Sequence, residues 1–103
     1  MFFESQRDKN DSLIIYIGNG PGCSSLHAMV YENGPFTVKD KGDKTFVYNN
    51  YGWNLQANVL YIETPAGVGF STGNTSSSDR NVTKDNLDVI TAFLVRFPRY
   101  VTN

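Results

Sequence analysis

A run of β-branched and aromatic residues, Leu13-Ile14-Ile15-Tyr16-Ile17, passes without a break into Gly18-Asn19-Gly20-Pro21-Gly22. A strand that is apolar on both faces belongs inside a sheet covered by helices on both sides. A second such strand, Asn58 to Glu63, ends at Thr64-Pro65 and the loop Ala66-Gly67-Val68-Gly69. Met1 to Glu4 reads as a short strand and Gln6 to Ser12 as a turn. Ser24 to Tyr31 reads as a short helix with Ser24 or Ser25 as its N-cap, stopped by Asn33-Gly34-Pro35. Phe36 to Val38 and Thr45 to Tyr48 read as the arms of a hairpin whose tip is Lys39 to Lys44. The spacing of Leu87, Ile90, Phe93, Leu94 and Phe97 predicts a helix over 83–97 with one apolar face, Thr83 as its N-cap and Pro98 as its stop. Strands alternating with helices argue for an α/β sheet.

A chain of 103 residues is one domain at most, or part of one. The formal net charge of −1 argues against non-specific nucleic-acid binding, which needs a basic excess. The longest apolar run, Leu13 to Ile17, is far too short to span a membrane. Met1-Phe2-Phe3-Glu4-Ser5 lacks the basic, apolar and small-residue features of a signal peptide, so the chain read literally is cytosolic.

Three functions compete for the glycine loop. A dinucleotide fingerprint needs glycine where Cys23 stands, and a P-loop needs Lys-Ser/Thr where Cys23-Ser24 stands; both fail. An oxyanion-hole loop, in which a glycine N–H faces developing negative charge, remains beside an ordinary tight turn. Gly69-Phe70-Ser71-Thr72-Gly73 spells the nucleophile-elbow pattern. An elbow, however, needs a strand running straight into its serine and a helix straight after it. A Pro-Ala-Gly loop precedes Ser71 and a polar loop follows, so a surface loop is expected. His27, the single histidine, reads as a helix residue of no special role. Glu32, close in sequence to the glycine loop, is the best candidate for an acid facing a site. Cys23 is either a small buried residue or one half of a bridge to a cysteine this chain lacks. Asn10, Asn74 and Asn81 open glycosylation sequons. No cofactor or metal is expected.

The stretches FFES at 2–5, GPGCSSL at 20–26, ENGPF at 32–36, WNLQANVLYIETPAGVGFS at 53–71 and FLVRFPRY at 93–100 resemble the serine carboxypeptidase family, and together they span nearly the whole chain. The resemblance implies the amino-terminal part, residues 1–103, of an α/β-hydrolase domain: a mixed sheet with flanking helices, lacking the nucleophile elbow and later strands. It implies proteolysis, the release of carboxy-terminal residues from peptides bound through their free C-terminus. Gly20 matches the glycine whose N–H supplies one oxyanion donor. The triad serine, aspartate and histidine fall beyond Asn103 in the family's order. Cys23 matches a cysteine that bridges to a distant partner, also beyond the end. Glu32 matches an acid that helps bind the substrate's terminal carboxylate; two such carboxyl groups coexist only by sharing a proton, which favours acidic pH.

The loop departs from the family's usual Asn-Gly-Gly-Pro-Gly. Gly18 and Asn19 stand exchanged, which moves the asparagine that would bond the substrate carboxylate by one residue. Tyr16 stands where the family tends to have Trp. The resemblance also implies that the nucleophile strand pairs beside the strand at 58–63. It further implies a vacuolar, lysosomal or extracellular setting, where the Cys23 bridge could form. Alone, the chain is expected to be inactive and to aggregate or oligomerise. The alternatives are a non-catalytic binding or regulatory homologue and a fragment of a carboxypeptidase-like acyltransferase.

Overall fold

The computed structural model describes residues 1–18, 22–39, 45–74 and 78–102. In chain order come β1 (Phe2–Phe3), β2 (Leu13–Ile17), α1 (Ser25–Ala28), a π-helical turn (Met29–Asn33), β3 (Phe36–Val38) and β4 (Phe46–Tyr48). A 3-10 turn (Trp53–Leu55), β5 (Asn58–Ile62), α2 (Asp79–Arg96) and a second 3-10 turn (Pro98–Tyr100) complete the chain. The main sheet has the order β1-β5-β2, with β1 antiparallel and β2 parallel to β5, so it is mixed. The parallel register pairs Leu13 with Asn58 and Ile17 with Ile62, which brings the carboxyl ends of both strands, and so Gly18 and Glu63, to the same end of the sheet. Strands β3 and β4 form the expected antiparallel hairpin; its tip, 40–44, lies outside the described residues.

The core is centred on β5, all five of whose residues are buried. Full burial of an aliphatic side chain such as Val59 contributes about 1.5–3 kcal/mol, and Tyr61 adds edge-on or tilted contacts with Phe3 and Tyr16. Burial, reinforced by the nearby Tyr16 phenol, pushes Tyr61 up to about 12. Its hydroxyl therefore stays a neutral donor, bonded to Asn33 Oδ1 at 2.9 Å. Asn58, fully buried at the start of β5, is satisfied by backbone alone. Its Oδ1 accepts from the Ser5 N–H at 2.9 Å, and its amide donates to the carbonyls of Lys9 at 3.1 Å and Asp11 at 2.6 Å. That one side chain closes the turn between β1 and β2.

Three expectations need correction. Helix α2 begins at Asp79, not Thr83, because Ser78 takes the N-cap and accepts from the Asn81 N–H; the Thr83 hydroxyl instead bonds back to the Asp79 carbonyl at 2.8 Å inside the helix. Strand β2 is not covered on both sides: its first four residues are half-buried and Ile17 is exposed, because no strand among the described residues pairs with its outer edge. And β5 cannot adjoin a further strand, since β1 and β2 already occupy both its edges. The short helix is also modified. Ser24 caps it as expected, but after Ala28 it widens into the π turn carrying Glu32.

Candidate functional site

At the shared strand ends, two adjacent serines organise the glycine loop. Ser25, 1% exposed, accepts from the Gly18 N–H at 2.9 Å and donates its own proton to the Ile62 carbonyl at the end of β5. Gly18 must be glycine for this approach, because a Cβ there would lie 2.7 Å from Ser25 Oγ. Ser24 accepts from the Leu26 N–H at 3.1 Å as the cap of α1 and donates to the Glu63 carboxylate. Asn19 and Gly20 fall outside the described residues.

The other carboxylate oxygen of Glu63 accepts from the Phe70 N–H at 2.8 Å, while the Ser71 hydroxyl donates to the Glu63 carbonyl at 2.7 Å. Ser71 thus lies in a loop folded back on the end of β5, with its hydroxyl committed to a backbone carbonyl, and among the described residues no strand or helix adjoins it. The elbow pattern is a decoy here, for the reason the sequence suggested. Gly69, at φ +55°, is held where a Cβ would lie 2.0 Å from the Glu63 carboxylate.

Beside the glycine loop, Tyr16, Gly18, Cys23, Ser24, His27, Ala28 and Glu32 line an open cavity of about 390 Å³. Gly18 and Glu32 meet there although they come from different elements. Glu32 is exposed and its backbone carbonyl accepts from Asn49, which steadies the π turn. Such turns recur at functional sites. His27, read from sequence as having no special role, shares this cavity and packs against Tyr31, ring centroids 4.8 Å apart. Tyr16, which lines the cavity, packs on Trp53 and Tyr61. Cys23 is exposed and free. Asn10, Asn74 and Asn81 are exposed, away from this cavity. Among the described residues no cluster of potential metal ligands occurs, and no helix is long and apolar enough to cross a membrane.

Sequence reasoning missed Glu63, Ser24 and Ser25 as a unit. The Ser24–Glu63 pair spans 39 residues of chain, and no local spacing signals a contact that only the β2–β5 pairing creates.

The arrangement is the carboxyl end of a parallel strand pair with a glycine loop, the place where α/β folds put their chemistry. A family model for serine carboxypeptidase matches residues 1–103. The chain is 45% identical to the lysosomal protective protein of Mus musculus over 106 aligned residues, covering 99% of this chain and 22% of that protein. It is 40% identical to serine carboxypeptidase-like 47 of Arabidopsis thaliana, covering 99% of this chain and 21% of the relative. Among solved structures it superposes on Kex1(delta)p, a prohormone-processing carboxypeptidase from Saccharomyces cerevisiae, with TM-score 0.78 and 30% identity, covering 99% of this chain and 24% of that one. The fold is a partial α/β-hydrolase fold. The chain belongs to the serine carboxypeptidase family, and it spans about a fifth of the length of the curated relatives it matches.

Proposed function

We propose that residues 1–103 are the amino-terminal part of a serine carboxypeptidase domain that, when completed, releases carboxy-terminal residues from peptides. The observation that carries this reading is the meeting of Gly18 and Glu32 in one cavity at the carboxyl end of β2. In the proposal Gly20, two residues into the loop, supplies a backbone oxyanion donor. Glu32, with Gly18 and Asn19, faces the substrate's terminal carboxylate. Cys23, exposed beside the loop, pairs with a cysteine outside this chain. Asn10, Asn74 and Asn81 are acceptors for glycans, as suits a lysosomal, vacuolar or secreted enzyme.

The free edge of β2 is where the nucleophile strand fits. Neighbouring strands lie about 4.8 Å apart, so a serine at the end of a strand beside β2 comes close to Gly18, where the glycine loop begins. A strand added beyond β1 would be about three spacings, roughly 14 Å, away from β2. While that edge is unpaired it is a template for association, and the isolated chain self-associates rather than behaving as a compact monomer. A sharp two-state urea transition on a species that light scattering finds monomeric would contradict this.

The test of function joins the chain to the remaining part of the mouse relative. The fusion should cleave blocked dipeptides with a free carboxylate, whereas the chain alone should neither cleave them nor take a fluorophosphonate label, since an unassisted serine is a weak nucleophile. Glu32→Gln in the fusion should raise the pH optimum for free acids and change that for peptide amides less. Stoichiometric labelling of Ser71, or an unchanged pH profile in the variant, would overturn the respective assignments.

A further inference from the structure

We propose that Glu63 is a positioning residue for the glycine loop, holding it through Ser24 in register with the end of β5. The inference rests on the oxyanion reading of that loop. Two short relays run side by side from the loop and helix to successive residues of one strand end. In the first, the Gly18 N–H donates to Ser25 Oγ, which donates to the Ile62 carbonyl. In the second, the Leu26 N–H donates to Ser24 Oγ, which donates to the Glu63 carboxylate. The first relay fixes Gly18, at the entry to the loop, and the second fixes Ser24, at its exit. Donors and acceptors alternate in one direction in each relay, an arrangement in which each bond polarises the next.

The two relays differ in what terminates them. Ile62 offers a backbone carbonyl, fixed by the sheet and independent of side-chain identity. Glu63 offers a side chain, which must itself be held. Its second oxygen is held by the Phe70 N–H at 2.8 Å. Gly69 leaves the space that the carboxylate fills, for a Cβ would lie 2.0 Å from it. A carboxyl group suits this position because its two oxygens can accept from both donors at once. The GVGF segment, which takes no part in the proposed chemistry, thereby acts on the glycine loop through one side chain.

An oxyanion donor works only if it lies within a few tenths of an ångström of where the charge develops, and it acts in the transition state rather than in substrate binding. Loosening the loop exit should therefore lower kcat and leave KM in place. In the fusion with the mouse relative's remaining segment, Glu63→Ala should reduce kcat roughly 10- to 100-fold, the scale of a misplaced catalytic group, with KM changed less than about twofold. Ser24→Ala should act in the same direction, and the double variant should be no worse than Glu63→Ala, because the two act as a unit. Glu63→Gln should restore much of the rate, since its amide can accept from Phe70 and donate to Ser24. Gly69→Ala should mimic Glu63→Ala by evicting the carboxylate. Additive losses, a rise in KM matching the fall in kcat, or no rescue by glutamine would overturn the proposal while leaving the carboxypeptidase reading intact. If the parent fusion has no activity, that reading fails instead, and the clamp is judged by amide hydrogen exchange. Glu63→Ala should then speed exchange at Leu26 and Phe70 and not at Val59, and unchanged protection at both would reject it.

Discussion

Strand β5 and one face of helix α2 are both written in apolar residues, yet every residue of the strand is buried and none of the helix is. The strand has β1 and β2 along its edges, the aromatic rings of Phe3 and Tyr16 against Tyr61, and Asn58 tying its first residue to the preceding turn. The helix is held mainly at its carboxyl end. There Phe93 and Phe97 join Phe2 and Tyr100, and Arg99 pairs with Glu4. Toward its amino end Leu87 and Val89 stand 60% and 48% exposed. An apolar pattern thus assigns a face, but burial requires something to lie against it, and only one of the two elements has that within these residues.

The largest test of the contrast is Asn58→Leu. It leaves the buried Ser5 N–H and the part-buried Lys9 and Asp11 carbonyls without their partner, at about 1–3 kcal/mol for a group left unsatisfied and less where water reaches it. A loss of about 3 kcal/mol or more in the completed protein, read from its urea midpoint, is expected; a loss under about 1 kcal/mol would mean that the turn does not depend on this anchor. Next comes Phe93→Ala, which removes the ring between Phe2, Phe97 and Tyr100 and should cost about 2 kcal/mol, below the roughly 3–5 kcal/mol of a fully buried ring because the site is half-open. Limited proteolysis should then cut first within 79–96, and unchanged protection there would show that α2 is held elsewhere. Leu87→Ser, on the uncovered face, should change helical circular dichroism of the isolated chain negligibly, as exposed substitutions do. In the completed protein the same change should cost more if later elements cover that face, which would sharpen the comparison.

The smallest effect is that of acid. Hydrogen bonds from Arg7 first, and then Ser5, hold Asp11 below the usual carboxylate range, and a hydrogen bond from Tyr100, aided by Lys9 and Arg99, does the same for Glu4. Both folded values lie below the unfolded ones. Their contribution is therefore fully present above the ordinary carboxyl range, near pH 4, and is lost as pH falls through the lower folded values. The Asp11 side chain is only 9% exposed, but its partner Arg7 is 62% exposed and open to screening, so Asp11→Asn should flatten the acid limb of stability only slightly. A steep change would mean that the pair is shielded from solvent more than the exposure of Arg7 suggests.

Much was legible in the sequence because it is local. The strands at 13–17 and 58–62, the cap Ser24, the hairpin arms and the stop at Pro98 follow from side-chain shape, period and backbone restriction over a few residues. Rejection of the Ser71 elbow followed from its flanking residues. Glu32 was singled out by nearness to the glycine loop, but its place in a π turn was not, since widening a helix by one residue per turn leaves no compositional mark. Helix α2 started earlier than the apolar period because its first turn is polar and is set by the cap Ser78.

By itself the sequence determined which segments are strands and helices, and which loops carry glycine for close approach, because those depend on each residue's own sterics and on its near neighbours. Only the tertiary structure decided that β5 lies between β1 and β2, which among the described residues leaves outer edges to β2 and β1 and none to β5. The same pairing carried Glu63 to Ser24 and Ile62 to Ser25 across distant stretches of chain. Strand order is settled by which edges can pair and which faces can be covered together. That is a property of the assembled sheet, written in no single segment.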